Sequence, residues 1–167
     1  AQFGTVTGLE ELKAEIQKLA GSLTSDQSLQ AAGMLGREVL VPGATGVLTE
    51  EGEIRGAVEL PNSVANLKIS IYDQAGQLVR NMDLGVQPAG LADFSWDGLA
   101  MDGEAALPGR YQVRAEAING GANEEFGVLM AAQVKSVTLP GGAGGLALEL
   151  AGLGQVEFSA IRQIRQI

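Results

Sequence analysis

The stretch FSWDGLAMDGEAALPGRY, from Phe94 to Tyr111, constrains the fold more than any other part of the chain. It holds the only tryptophan, three glycines and a Pro-Gly, and it runs into RYQVRAEA. In that run Tyr111, Val113, Ala115 and Ala117 fall on one face, and Arg110, Gln112, Arg114 and Glu116 on the other. Period-two alternation is the mark of a half-buried strand, so the segment predicts a strand ending at Trp96, a turn, and a second strand entered through Pro108-Gly109. Phe94 and Trp96 share a side and are expected in the core, with Asp97-Gly98 turning the chain and Tyr111 opening the next strand.

From Glu53 to about Gly120 short alternating runs recur between turn residues: IRGAVEL, NLKISIYD, QLVRNMDL, ADFSW and GRYQVRAEA. In NLKISIYD, Leu67, Ile69 and Ile71 face one way and Lys68, Ser70 and Tyr72 the other, and Asp73–Gly76 reads as a turn. This spacing predicts an immunoglobulin-like sandwich, of the fibronectin type III kind because the chain has no cysteine.

The flanking segments differ. Leu9, Leu12, Ile16, Leu19 and Leu23 recur at spacings of three and four, which predicts an amphipathic helix in residues 1–33. Thr7 and Glu10 form a capping-box pattern, and Gly21 and Gly33 are expected to break the helix. The stripe has two readings, packing onto the chain's own β core or self-association. EVLVP, stopped by Pro42-Gly43, is a short strand, and the acidic corner Glu50, Glu51, Glu53 is expected to mark a boundary. After a joint at Gly120–Asn123, EFGVLMAAQVKSVTL is too long for one flat strand, so Gly127 or Ala131-Ala132 should bend it. LALEL and VEFSAIRQI then read as closing strands. Residues 34–52 and 121–167 can pair only if 53–120 is inserted between them, which predicts a small discontinuous barrel carrying the sandwich. The fold class is therefore mainly β with an N-terminal helix.

Composition narrows function by exclusion. With no histidine and no cysteine among 167 residues, thiol nucleophiles, Ser-His-Asp triads, structural zinc and disulfides drop out. A net charge of −9 opposes nucleic acid and anionic membrane surfaces. No apolar run is long enough to span a membrane, and no basic-then-apolar leader opens the chain, so neither membrane insertion nor a secretory signal is expected. A start at Ala1-Gln2 without Met suggests a fragment or a processed chain.

Gly141–Gly145 is followed by a strand and by no Gly-Lys-Ser/Thr, so it reads as a loop and not a phosphate cradle. Asp93, Asp97, Asp102 and Glu104 crowd around Trp96 but miss EF-hand spacing, and turns recruit Asp for backbone hydrogen bonds, so no metal is expected. Acidic residues alone leave a hydrolase as the weakest reading. Aromatics make up only 4% of the chain, which argues against a sugar-binding platform.

Several segments resemble the flagellar hook-capping (hook-assembly scaffold) family, and in family order. QFGTVTGLEEL resembles the end of its amino-terminal region, and MLGREVLVPG the first strand of its Tudor-like barrel. KISIYDQAGQLV and FSWDGLAMDGEAALPGRY resemble its inserted fibronectin-like sandwich, and KSVTL with GLGQVEFSAIRQI the closing barrel strands. The resemblance covers the C-terminal portion of that family. It implies a non-enzymatic, cofactor-free scaffold exported by the flagellar type III pathway to the distal tip of the growing rod and hook, where it promotes polymerisation of hook subunits. Its partners would be the flagellar hook protein and further copies of itself. The alternative from the sandwich pattern alone is an extracellular ligand- or carbohydrate-binding module.

Overall fold

The computed structural model describes residues 3–50, 52–119, 121–139 and 145–166. The chain is mainly β, with one N-terminal helix. Helix α1 spans Phe3–Ala32. Thr7 lies one turn inside it, and the expected break at Gly21 does not occur. An isolated glycine costs a helix only about 1 kcal/mol, less than is lost by interrupting the ladder on both sides of it. The helix stops at Gly33, as its spacing predicts, and Gly36 completes the exit at φ +77 with its N–H bonded to the Val134 carbonyl.

Twelve strands follow in the described residues: β1 Glu38–Pro42, β2 Thr45–Leu48, β3 Ile54–Leu60, β4 Val64–Tyr72, β5 Leu78–Gln87, β6 Gly90–Trp96, β7 Gly109–Asn119, β8 Ala122–Phe126, β9 Val128–Thr138, β10 Ala147–Leu150, β11 Gly154–Glu157 and β12 Gln163–Arg165. All their pairings are antiparallel. The glycine loop expected between β9 and β10 lies, apart from Gly145, outside the described residues, as does Glu51 of the acidic corner.

Two long strands organise the sheets by sharing one edge between two partners. β7 pairs with β4 along one edge, and on the other with β2 at Gly109–Gln112 and β8 at Ala115–Asn119. β9 carries β1 on one edge, and on the other β3 at Val128–Met130 and β10 from Val134 onward. Ala131-Ala132, where the sequence expects a bend, is the point at which β9 leaves β3 for β10. Gly127 separates β8 from β9.

Three sequence expectations change. β2 lies before the acidic corner, yet it pairs with β7 of the sandwich, because the turn at Pro42-Gly43 sends the chain across to the other sheet. The joint near Gly121 is a hairpin that pairs Asn119 with Ala122; Gly120 itself lies outside the described residues. VEFSAIRQI is not one strand: a 3-10 turn, Phe158–Ala160, separates β11 from β12.

The alternating strands bury their apolar faces. Leu67, Ile69 and Ile71 of β4, Val113 and Ala115 of β7, and Val58 of β3 pack with Phe94 and Trp96 in the sandwich core. A second core gathers Val39, Val41, Ala132, Val134, Leu148 and Leu150, closed at one end by Ala31 and Met34 from the helix exit. The reverse face of the β1–β9–β3 sheet holds a small third cluster, Leu40, Ala57 and Leu129.

Candidate functional site

The Phe94–Tyr111 segment is occupied with holding itself together. Trp96 is 1% exposed, and its Nε1–H donates to the Leu99 carbonyl at 2.8 Å. Its ring meets Tyr111 edge-on, with centroids 4.9 Å apart at 72°, the arrangement that aromatic quadrupoles favour. The Tyr111 hydroxyl donates to the Leu107 carbonyl at 2.6 Å. A tyrosine tied to backbone four residues upstream is the device that fixes corners in immunoglobulin-like sandwiches. Burial, and after it the Asp73 carboxylate, push the Tyr111 phenol above its ordinary pKa. Gly98 turns at φ +80 against the Leu48 side chain. Pro108 is exposed, and Gly109 opens β7 opposite Leu48.

The carboxylates around Trp96 are spent on local structure. Asp97 accepts the Leu99 N–H, Asp102 accepts the Glu104 N–H, and Asp93 pairs with Arg165. Among the described residues no group of three or more acidic side chains is placed to hold a cation. Nor is any described aromatic ring exposed: Phe94, Trp96 and Tyr111 are buried, while Tyr72, Phe126 and Phe158 are half-buried. The ring of Tyr72 is covered by the Arg114 guanidinium at 5.1 Å. A carbohydrate platform needs an open aromatic face, so this surface does not favour that alternative.

Charged residues instead tie the sandwich to the second β unit. Arg55 on β3 reaches Glu38 on β1 at 2.6 Å and Glu53 at 3.1 Å, and the Ser95 hydroxyl on β6 donates to Glu53 at 2.5 Å. On the same face Arg165 of β12 pairs with Asp93 of β6. β12 and β6 lie at opposite ends of the path β12–β1–β9–β3–β6, so this contact requires the sheet to curl. Sequence reasoning missed this network, because its members are scattered over more than a hundred residues and meet only through strand register.

The stripe residues of α1 are not packed on the β core. Leu9, Leu12, Ile16 and Leu19 are 57–64% exposed, which overturns the packing reading; the Leu23 side chain lies outside the described residues. A second apolar surface sits at the base of the same helix. There Leu29, Ala32 and Leu35 line a groove of 830 Å³ together with Val137 and Leu139, and Lys135 and Ser136 line it too. The wall opposite the helix depends on where β9 ends, which the sequence alone does not give.

Comparison with known proteins agrees with this architecture. The family model of the FlgD Ig-like domain matches residues 45–121, beginning at β2. The chain is 35% identical over 171 aligned positions to the basal-body rod modification protein FlgD of Escherichia coli K12, covering 98% of this chain and 73% of that protein. It is also similar to the crystal structure of FlgD from Xanthomonas campestris, at 30% identity and a TM-score of 0.75, covering 83% of this chain and 99% of the other. FlgD from Pseudomonas aeruginosa matches at 33% identity with a TM-score of 0.65, over 77% of this chain and 97% of that one. Because this chain is matched along nearly its whole length to a relative above 30% identity and covers 73% of that relative, it belongs to the FlgD family of basal-body rod modification proteins.

Proposed function

We infer that the chain is a hook-cap scaffold: it holds incoming hook subunits at the distal end of the growing rod and hook and promotes their polymerisation through protein surfaces. The observation that carries this reading is the 35% identity to the E. coli rod modification protein along nearly the whole chain. The X. campestris relative, whose structure was described in terms of hook capping essential for flagellar assembly, supports it. In this reading the protein is not an enzyme, it works as a homo-oligomer, and it reaches the tip through the flagellar type III pathway. No helix among the described residues is long and apolar enough to cross a membrane.

The sandwich is read as a fibronectin type III-like insert, and the sheet of β1 with β9–β12 as a Tudor-like barrel. Support comes from β1, which precedes the sandwich in sequence yet pairs with β9 and β12 that follow it. Deleting the encoding gene should leave rods without hooks and release hook monomers into the medium. Normal hooks in the deletion strain would refute the function.

A further inference from the structure

We propose that β12 is a strap, latched by Arg165 on Asp93, that holds the curl of the β12–β1–β9–β3–β6 sheet over a small apolar floor. Released, the strap uncovers that floor while both main cores stay closed. The proposal stands apart from the hook-cap reading. Strand register assigns the face, since directly opposed residues of paired strands lie on the same side of a sheet. Ala57 is opposite Leu129 and Asp93, Leu40 is opposite Ala131 and Gln163, and Glu38 is opposite Arg165. Floor and latch therefore share one side.

The floor is covered although it turns away from both main cores. Leu40 and Ala57 are 0% exposed and Leu129 3%, yet among the described apolar side chains only Ala131 packs against the three. Charged neighbours and the curl supply the rest of the cover. In a flat sheet β12 and β6 would stand four strand spacings, about 19 Å, apart, farther than Arg165 and Asp93 can reach. Their pairing thus exists only while the sheet is bent over the floor. Arg55 and Glu38 close the same face across β9.

Little else holds β12. It is three residues long, it pairs with β1 on one edge, and none of its side chains is buried. Ile164 is 45% exposed. The Arg162 N–H adds one bond to the Leu40 carbonyl. Segments without buried apolar contacts open locally at low free energy, so the latch decides how often this one does. The latch itself is open to water: the Asp93 side chain is 63% exposed, and salt screens such a pair. β9 differs, because it is paired on both edges and sends Val128 and Met130 into one core and Ala132 and Val134 into the other. Opening therefore starts at β12 and stops short of β9.

The chain has no cysteine, so one added thiol can report on the floor. Ala57→Cys places it there, and Ala115→Cys, at a position also 0% exposed, places a control in the sandwich core. Both are labelled with an aromatic disulfide reagent at low ionic strength. Adding Asp93→Asn to the Ala57→Cys chain should speed labelling about threefold to fivefold, the size of an exposed ion pair's contribution. Sodium chloride at about 1 M, where the screening length falls to about 3 Å, should do the same with the latch residues intact. Once Arg165→Gln is present, Asp93→Asn should add nothing, because the two act through one interaction. The control should not respond. A floor thiol indifferent to both Asp93→Asn and salt overturns the strap. An equal rise at Ala115→Cys overturns it too, since the whole fold would then be opening. Amide exchange on chains without added cysteine gives an independent readout that no disturbance of packing at Ala57 can spoil. The β12 amides should exchange severalfold faster in Asp93→Asn than in the unaltered chain, with β4 and β7 unchanged; equal protection of β12 in the two chains would rule out the latch.

Discussion

Arg55 places its guanidinium 2.6 Å from the Glu38 carboxylate, reaching from β3 to β1 over the intervening strand β9. The span is possible because β9 presents the small side chain of Ala131 on that face, and because the sheet curls toward it. The Glu38 side chain is only 11% exposed and that of Arg55 46%. The pair is thus wetter than a buried ion pair but drier than a surface one.

Arg55→Ala leaves the Glu38 carboxylate largely desolvated without its partner. Full burial would make that loss about 3–5 kcal/mol, and the half-exposed guanidinium reduces it to about 1–2 kcal/mol. Glu38→Gln should cost less, since no orphan charge remains. A denaturant midpoint series on both variants and their double mutant checks this. The two single losses should exceed the double, as expected for one shared interaction.

Gly56 marks another close approach at the same junction. A Cβ built there would run into the Leu129 carbonyl oxygen and come within 2.6 Å of the Phe94 ring. Gly56→Ala should therefore lower stability by about 3 kcal/mol, the upper end of overpacking costs. A thermal melt within error of wild type would show that β3 and β9 are not held this close.

Tyr111 gives the sandwich an alkaline limit. Below about pH 10 the phenol is protonated in both folded and unfolded chains, and it adds no pH dependence. Above that value the unfolded chain ionises first, because burial and Asp73 hold the folded phenol higher. Stability should then fall with rising pH until the folded phenol also ionises. Tyr111→Phe should flatten this limb while costing about 1 kcal/mol at neutral pH for the bond to Leu107. Urea titrations at pH 7 and at several values above 10 measure both effects.

Gly21 sits inside α1 with open space around its Cα. Gly21→Ala should strengthen the helix by about 0.5–1 kcal/mol. Amide exchange in α1 should slow, and the β strands should remain unaffected. An unchanged exchange rate would mean that the helix is not continuous through this position in solution.

The alternation in NLKISIYD and RYQVRAEA could be read directly, because side chains on a strand alternate faces whatever the strand pairs with. Trp96 and Phe94 followed from the same rule. The long β9 run was legible as too long to stay flat, and it changes partners at Ala131-Ala132. Gly21 does not break α1, because the helix hydrogen bonds on either side of it outweigh its local propensity. The place of β2 was not legible: TGVL looks the same whether it pairs with β1's sheet or with β7, and only the direction of the Pro42-Gly43 turn decides.

The sequence by itself determined the periods, the turns, the exclusion of His and Cys chemistry, and, through segments in family order, the kind of protein this is. These are local properties, set by side chains a few residues apart. Tertiary structure alone decided that the Leu9–Leu19 stripe stays open while a groove forms at the foot of its helix. It alone brought Arg55 to Glu38 and Arg165 to Asp93. Such relationships depend on register and sheet curl, which arise from the summed packing of many distant residues.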